Sequence, residues 1–265
     1  MSVRVLIPTL AWRRPALLDL WAAYHTALAE RHALPGVEVD VLICGSEPEA
    51  EEAAERYGCR YVHAANAPLG AKAQARLEAT RDLEWDYLLF LGSDDFVAAP
   101  TLAYYAERME AGHDFIAPLD LFSWARPRRT PPRVYGLWHS AGYTPEAAAH
   151  RAGEPMAVGR CLSRDLVERL GWQIWPPVER HIDRPAWQRI RPAIRNPHTF
   201  RLLDERREAE RTRSHPLLIV DVKVRGESLS RFNERRPNIT RAPDDYLTHA
   251  DPSGHLRRAL SRLRH

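Results

Sequence analysis

The stretch DYLLFLGSDDFVAAP, Asp86–Pro100, decides how the rest of the chain is read. Asp86 to Leu91 is a short run, apolar after its first residue, without polar alternation, the signature of a strand buried on both faces. It runs directly into Ser93, Asp94 and Asp95. A chain that needed only a turn there had no need of two adjacent carboxylates. Two readings follow. Paired acids at a strand end suit a hard divalent cation, because magnesium and manganese take oxygen ligands and leave positions open for substrate phosphates. Ser-Asp-Asp also reads as the N-cap of a helix over Val97 to Glu110.

Working outward, the first half alternates strand and helix. Val3 to Ile7 is a strand closed by Pro8, and Pro15 to Ala33 carries Leu17, Leu20, Trp21, Tyr24 and Leu28 on one helical face. Strands at Val37 to Ile43 and Arg60 to His63 alternate with helices at Glu47 to Tyr57 and Leu69 to Arg81. Apolar strands separated by helices of this length predict a mostly parallel sheet covered on both faces. Ligands of such sheets bind at the carboxyl ends of the strands, where Pro8-Thr9, Gly45-Ser46 and Ser93-Asp94-Asp95 would emerge together. Farther on, Phe115 to Phe122, Val134 to His139 and Met156 to Leu162 read as strands. A helix capped by Ser163 ends before Gly171. Helices are expected at Arg184 to Ile194 and Thr199 to Arg211, a strand at Leu217 to Val222, and a short helix from His255. The proline-broken ARPRRTPPR, Ala125 to Arg133, reads as a basic loop at the site, its Arg126, Arg128, Arg129 and Arg133 either gripping phosphate or solvated.

The 265 residues are 45% hydrophobic and 28% charged, enough to bury a full core. No run approaches the roughly 18 apolar residues of a membrane span, and Met1 to Pro8 has neither the length nor the cleavage site of a signal peptide, so a cytoplasmic protein is expected. Cys44, Cys59 and Cys161 are scattered without CxxC spacing and read as core residues. Net charge is +3, and the only lysines are Lys72 and Lys223. Arginine's planar fork suits phosphate, and its crowding after Arg160 leaves a weak preference for a polyanionic partner. For most of the arginines, a GC-rich genome that writes arginine where another writes lysine accounts for the bias.

The order of VRVLIPTLAWRRPALL, NAPLGAKAQARLEAT, DYLLFLGSDDFVAAPTL, GRCLSRDLVERLGW and RHIDRPAWQRI resembles nucleotide-sugar glycosyltransferases of the GT-A fold, in particular glycosyltransferase family 2, over roughly Ser2 to Arg191. The resemblance implies an α/β, GT-A-like three-layer sandwich around a mostly parallel sheet, with an irregular arginine-rich C-terminal part. Residues 1–122 would be the nucleotide-sugar-binding half, 123–222 the acceptor-side half of the same domain, and 223–265 an arginine-rich extension. It implies a donor site of Pro8, Thr9, Glu47, Gly70, Lys72, Ser93, Asp94 and Asp95, with Asp94 and Asp95 also holding Mn2+ or Mg2+. The acceptor side would begin at Arg160. The donor would be a nucleoside-diphosphate sugar, a UDP-sugar by default. The acceptor would be a glycan, a small molecule or DNA. The chain departs from the pattern at Gly92, where the family commonly has the first acid of Asp-x-Asp, and at Cys44-Gly45-Ser46-Glu47, where the second strand usually ends in acids.

Inverting transfer needs a base opposite the leaving diphosphate. The resemblance places Asp183 there, with Glu179 as substitute; Asp183 before Arg184-Pro185 also reads as an N-cap. Among the tryptophans, Trp124 is expected in the cleft on the acceptor side, whereas Trp12, Trp138, Trp172, Trp175 and Trp187 read as packing residues. The same transfer onto a hydroxymethylated DNA base and a non-catalytic carbohydrate- or nucleic-acid-binding module are the alternatives. A sugar nucleotidyltransferase is disfavoured because Pro8-Thr9-Leu10-Ala11-Trp12 is not a glycine-rich phosphate loop.

Overall fold

The computed structural model describes residues 2–32, 36–125, 133–138, 154–202, 217–224, 239–241 and 246–263. The first half follows the expected alternation: β1 (Val3–Leu10), α1 (Pro15–His32), β2 (Val37–Gly45), α2 (Pro48–Tyr57), β3 (Arg60–His63), α3 (Leu69–Glu78) and β4 (Tyr87–Phe90). There follow β5 (Asp95–Val97), α4 (Ala99–Glu110), β6 (Phe115–Pro118), β7 (Asp120–Ala125), β8 (Arg133–Trp138) and β9 (Arg160–Ser163). The last elements are α5 (Arg164–Arg169), α6 (Asp183–Ile190), a 3-10 turn (Arg191–Ala193), β10 (Pro197–Phe200), β11 (Ile219–Lys223), β12 (Ile239–Arg241), α7 (Tyr246–Ala250) and α8 (His255–Ser261).

A seven-stranded sheet has the order β10-β6-β9-β4-β1-β2-β3, and a five-stranded sheet the order β12-β8-β7-β11-β5. In the larger sheet only β9 runs antiparallel to its neighbours β4 and β6. Its strands alternate faces with period two. Val5, Ile7, Val41, Ile43, Leu89 and Leu91 pack with α1, α2 and α4, whereas Leu6, Leu42, Leu88 and Phe90 pack with α3, α5 and α6. Apolar residues on both faces explain the unbroken hydrophobic runs and give the expected three layers.

Several boundaries differ from the sequence reading, each for a tertiary reason. β1 continues through Pro8 to Leu10, paired with β2 over its whole length but registered with β4 only at Val5 and Leu6. A residue lacking an N–H is tolerated where pairing has become one-sided. The run Phe115 to Phe122 is divided, β6 joining the large sheet and β7 the smaller one. Thr199 and Phe200, expected to start a helix, lie in β10 beside β6. Ser163 caps α5 as expected, its Oγ accepting from the Leu166 amide at 3.1 Å. The expected domain boundaries after 122 and 222 both fall inside strands, and α7 and α8 contribute Tyr246, Ala250, Leu256 and Leu260 to the same core as α1. Residues 126–132, most of the basic loop, lie outside the described residues, as does most of the expected helix after Leu202.

His25 on α1 is fully buried, its ring stacked on Phe96 and its Nδ1 2.9 Å from the Trp21 carbonyl oxygen, while Nε2 has no hydrogen-bond partner. Burial pushes it down to about 3, against the opposing carbonyl contact. The unfolded chain binds this proton near pH 6.5 and the folded chain does not until about pH 3, so stability is lost as pH falls below 6.5, by about 1.4 kcal/mol per unit at most. Urea midpoints at pH 7 and pH 5 should therefore converge in His25→Phe relative to the native chain. An unchanged difference would assign the acid sensitivity to other groups.

Candidate active site

The carboxyl ends of β1, β2 and β4 open on one edge, and two cavities meet there at Leu10 and Gly92. The first, about 180 Å³, is lined by Trp12, Arg14, Asn66, Leu69, Lys72, Ser93 and Asp94 in addition. The second, about 200 Å³, is bordered among others by Arg76, Phe90, Asp95, Arg160, Trp175 and Asp183.

Ser93, Asp94 and Asp95 do not cap a helix. β5 intervenes, and α4 begins after an N-cap at Ala98 that makes no side-chain bond. β5 instead pairs antiparallel with β11, setting Asp95 opposite Asp221. Asp94, Asp95 and Asp221 bring carboxylate oxygens within 4.8 Å of one another. Two cations face them. Arg14 Nη1 lies 2.6 Å from Asp94, and Lys223 Nζ lies 2.5 Å from Asp221 and 3.8 Å from Asp94. Burial, reinforced by Asp94 and Asp221, holds Asp95 well above the usual carboxylate range. Burial and then Asp94 raise Asp221 to about 6. Burial alone would lower Lys223, but Asp221 and Asp94 hold it above the ordinary lysine value.

Gly92 explains the missing first acid. Its amide donates to Asp95 Oδ2 at 2.7 Å, and a Cβ would stand 2.6 Å from that oxygen and 3.0 Å from Asp94 Oδ1. No side chain fits without displacing the acids. The third carboxylate, Asp221, comes from β11, more than a hundred residues later, and was not anticipated from the sequence. The VDVK alternation around it was the available signal.

In the first cavity Lys72 is 2% exposed, and its ammonium donates to the Ala11 carbonyl at 2.5 Å and to Asn66 Oδ1. Burial lowers it from the ordinary lysine value. Asn66 in turn donates to Glu47 Oε1 at 2.8 Å and Ser46 Oγ at 2.6 Å. Lys72, Ser93 and Asp94 thus line this cavity, with Asn66, Arg14 and Trp12 as members not anticipated, and Glu47 is tied to it only through Asn66. Pro8, Thr9 and Gly70 are not brought to it. Thr9 is fully buried, and Leu10 and Trp12 border the cavity in its place. Gly70 packs beneath the 176–178 segment, its amide donating to the Val178 carbonyl at 2.8 Å. Trp124 is packed in the core at 6% exposure, so among the described residues the tryptophans that line the two cavities are Trp12 and Trp175.

In the second cavity Arg160 donates to the carbonyls of Met156, Pro155 and Asp183, and lies 3.7 Å from Glu154. Asp183 is the first residue of α6; the N-cap is Ile182, without a side-chain bond. The capping role is therefore not the one Asp183 performs, and its exposed carboxylate borders the cavity. Glu179 is exposed and lines neither cavity.

No family profile matches the chain. No curated protein matches it either. Among solved structures, TarS of S. aureus superposes with a TM-score of 0.52 at 14% identity, over 76% of this chain and 35% of that one. Its 1–349 form gives 0.52 at 12% identity, over 76% and 58%. A Mycobacterium tuberculosis glucosyl-3-phosphoglycerate synthase in complex with Mg2+ and uridine diphosphate gives 0.48 at 16%, over 75% and 68%. The chain thus spans between a third and three fifths of the two TarS chains. No helix among the described residues is long and apolar enough to cross a membrane. At these identities the likeness is one of fold, and the fold is the GT-A-like α/β sandwich that the sequence implied.

Proposed function

We propose that the chain is a glycosyltransferase that moves a sugar from a nucleoside-diphosphate sugar to an acceptor hydroxyl with inversion. The observation that carries this reading is the pair of adjoining cavities divided by the Gly92-to-Asp95 turn, one lined by Trp12, Asn66, Lys72 and Asp94, the other by a carboxylate, Asp183. Trp12 offers an aromatic face for the base, and Lys72 and Arg14 offer positive charge for the diphosphate. The sugar would lie across the junction. The acceptor oxygen then attacks the anomeric carbon, the bond from that carbon to the diphosphate oxygen breaks, and the acceptor's proton passes to Asp183. Arg160, bonded to the Asp183 carbonyl, fixes the start of α6 and hence the position of that base.

Asp94, Asp95 and Asp221 fit a hard divalent cation, Mn2+ or Mg2+: all their donors are oxygens, and the buried Asp221 Oδ1 has no hydrogen-bond partner. Such an ion supplies Lewis-acid stabilisation of the departing diphosphate. The paired Arg14 and Lys223 favour a second version, in which these two cations carry that charge without an ion. Hydrolysis of several nucleotide sugars with manganese and with EDTA tests both. Manganese-stimulated hydrolysis supports the ion, EDTA-resistant hydrolysis the cations, and binding without any turnover a non-catalytic module. Asp94→Asn should weaken manganese-dependent binding of nucleoside diphosphate by at least about tenfold in calorimetry. Since Arg14 would lose its counter-ion, melting temperature is followed in parallel; unchanged affinity in a folded variant removes Asp94 from the donor site.

A further inference from the structure

We propose that the second cavity binds an anionic group, a carboxylate or a phosphate, on Arg76, so that one of the two substrates carries negative charge beyond the donor's diphosphate. The inference rests on the transferase reading for the meaning of "substrate" but not for the site itself. Arg76 lies on the buried face of α3 with Lys72, Ala73 and Leu77, and is 6% exposed. Burying a guanidinium is costly unless it is paired and hydrogen-bonded. Among the described residues three arginines are buried, and two of them have a carboxylate within 4 Å: Arg14 with Asp94 at 2.6 Å, and Arg160 with Glu154 at 3.7 Å.

Arg76 is the exception. Its one hydrogen bond is from Nη1 to the Pro8 carbonyl at 3.3 Å, and Nε is enclosed without a partner. Burial, opposed by Cys44 and Asp183, lowers it only to about 10, so it remains charged at neutral pH. In place of an acid it has two aromatic faces, Phe90 and Trp175, whose centroids lie 4.7 and 5.0 Å from Cζ. Cation–π contact from the faces stabilises the charge and leaves donors in the guanidinium plane for a planar oxyanion. Neither acid bordering this cavity pairs with it. Asp95 accepts from the Gly92 amide and belongs to the cluster with Asp221, and Asp183 acts on the Arg76 charge through space without a hydrogen bond or ion pair to it. An anion held on Arg76 would place the rest of its molecule in the cavity that Asp183 borders.

The test uses the full chain, with melting temperature and tryptophan fluorescence followed against inorganic phosphate, glucuronate and neutral glucose at ionic strength matched with chloride. Phosphate or glucuronate should raise the melting temperature of the native protein by several degrees, and glucose should not. Arg76→Met, similar in volume, should melt no lower than the anion-free native protein and should not respond to either anion. Arg76→Lys keeps the charge without the fork and should bind about tenfold more weakly. If Arg76→Met does not fold, the lysine variant decides by its affinity. An equal response in the variants, or no response of the native protein to either anion, overturns the proposal. Kinetics with UDP-glucose and UDP-glucuronate then locate the charge. On the transferred sugar, it gives a native preference for the uronate that Arg76→Lys erases; on the acceptor, it leaves donor preference unchanged and raises the KM of an anionic acceptor. Anion binding that depends on Arg76 with no transfer from any donor keeps the site and removes the transferase reading.

Discussion

Asp183→Asn is expected to lower turnover by a factor on the order of 10² to 10⁴ while donor affinity stays within about twofold of the native value. The amide keeps the shape of the side chain but cannot accept the acceptor's proton. The structure removes the main competing explanation for any loss, because α6 is capped by the Ile182 position and no side-chain bond from Asp183 closes the helix. A carboxylate in the first turn gains a few tenths of a kcal/mol from the helix dipole, and losing that contribution would barely move the melting temperature. Turnover and melting should be measured on the same preparation. Near-normal turnover would remove Asp183 from the mechanism. Glu179→Gln is the control: lying outside both cavities, it should leave turnover within about twofold.

The largest expected effect on stability is at a position where no side chain can be placed. A Cβ on Gly70 would stand 1.8 Å from the Pro176 carbonyl oxygen and 2.9 Å from the Val178 amide nitrogen. Both contacts are with backbone, so no rotamer change relieves them. Gly70→Ala must push the 176–178 segment off α3 and break the bond from the Gly70 amide to the Val178 carbonyl. A loss of about 3 kcal/mol or more is expected, as for severe overpacking, read as a fall in urea midpoint. That segment leads to Asp183 and carries Trp175 just before it, so turnover of the remaining folded protein should fall too, more than nucleoside diphosphate binding does. Native stability in Gly70→Ala would mean that the segment is not seated on the helix. The outcome also separates two roles for this glycine, since lining the sugar-nucleotide pocket would affect donor binding first.

The sequence alone determined the elements whose pattern is local and repetitive. The strands β1, β2 and β4 carry consecutive apolar residues because both of their faces are covered, and the helices between the strands show one-sided periodicity, so their order and the edge where the site opens could be read without coordinates. Ser93, Asp94 and Asp95 stood out at a strand end, whereas Lys72 and Asp183 were singled out only through the resemblance; Lys72, Ser93 and Asp94 line the first cavity, and Asp95 and Asp183 the second. The tertiary structure decided what depends on pairing between distant segments. Phe115 to Phe122 has no internal signal that its two halves enter different sheets; that division is set by which neighbours are available, β9 and β10 on one side and β8 and β11 on the other. Asp221 joins the acid cluster only through the register of β11 against β5, and a one-residue slip would turn it to the other face. Thr9 and Trp124 have the residue types of ligand contacts, but strand alternation and the smaller sheet direct them into the core. Arg76 looks in sequence like any helical surface arginine. Its burial against Phe90 and Trp175 follows from the close approach of the 175–178 segment to α3, and that approach exists because residue 70 has no side chain.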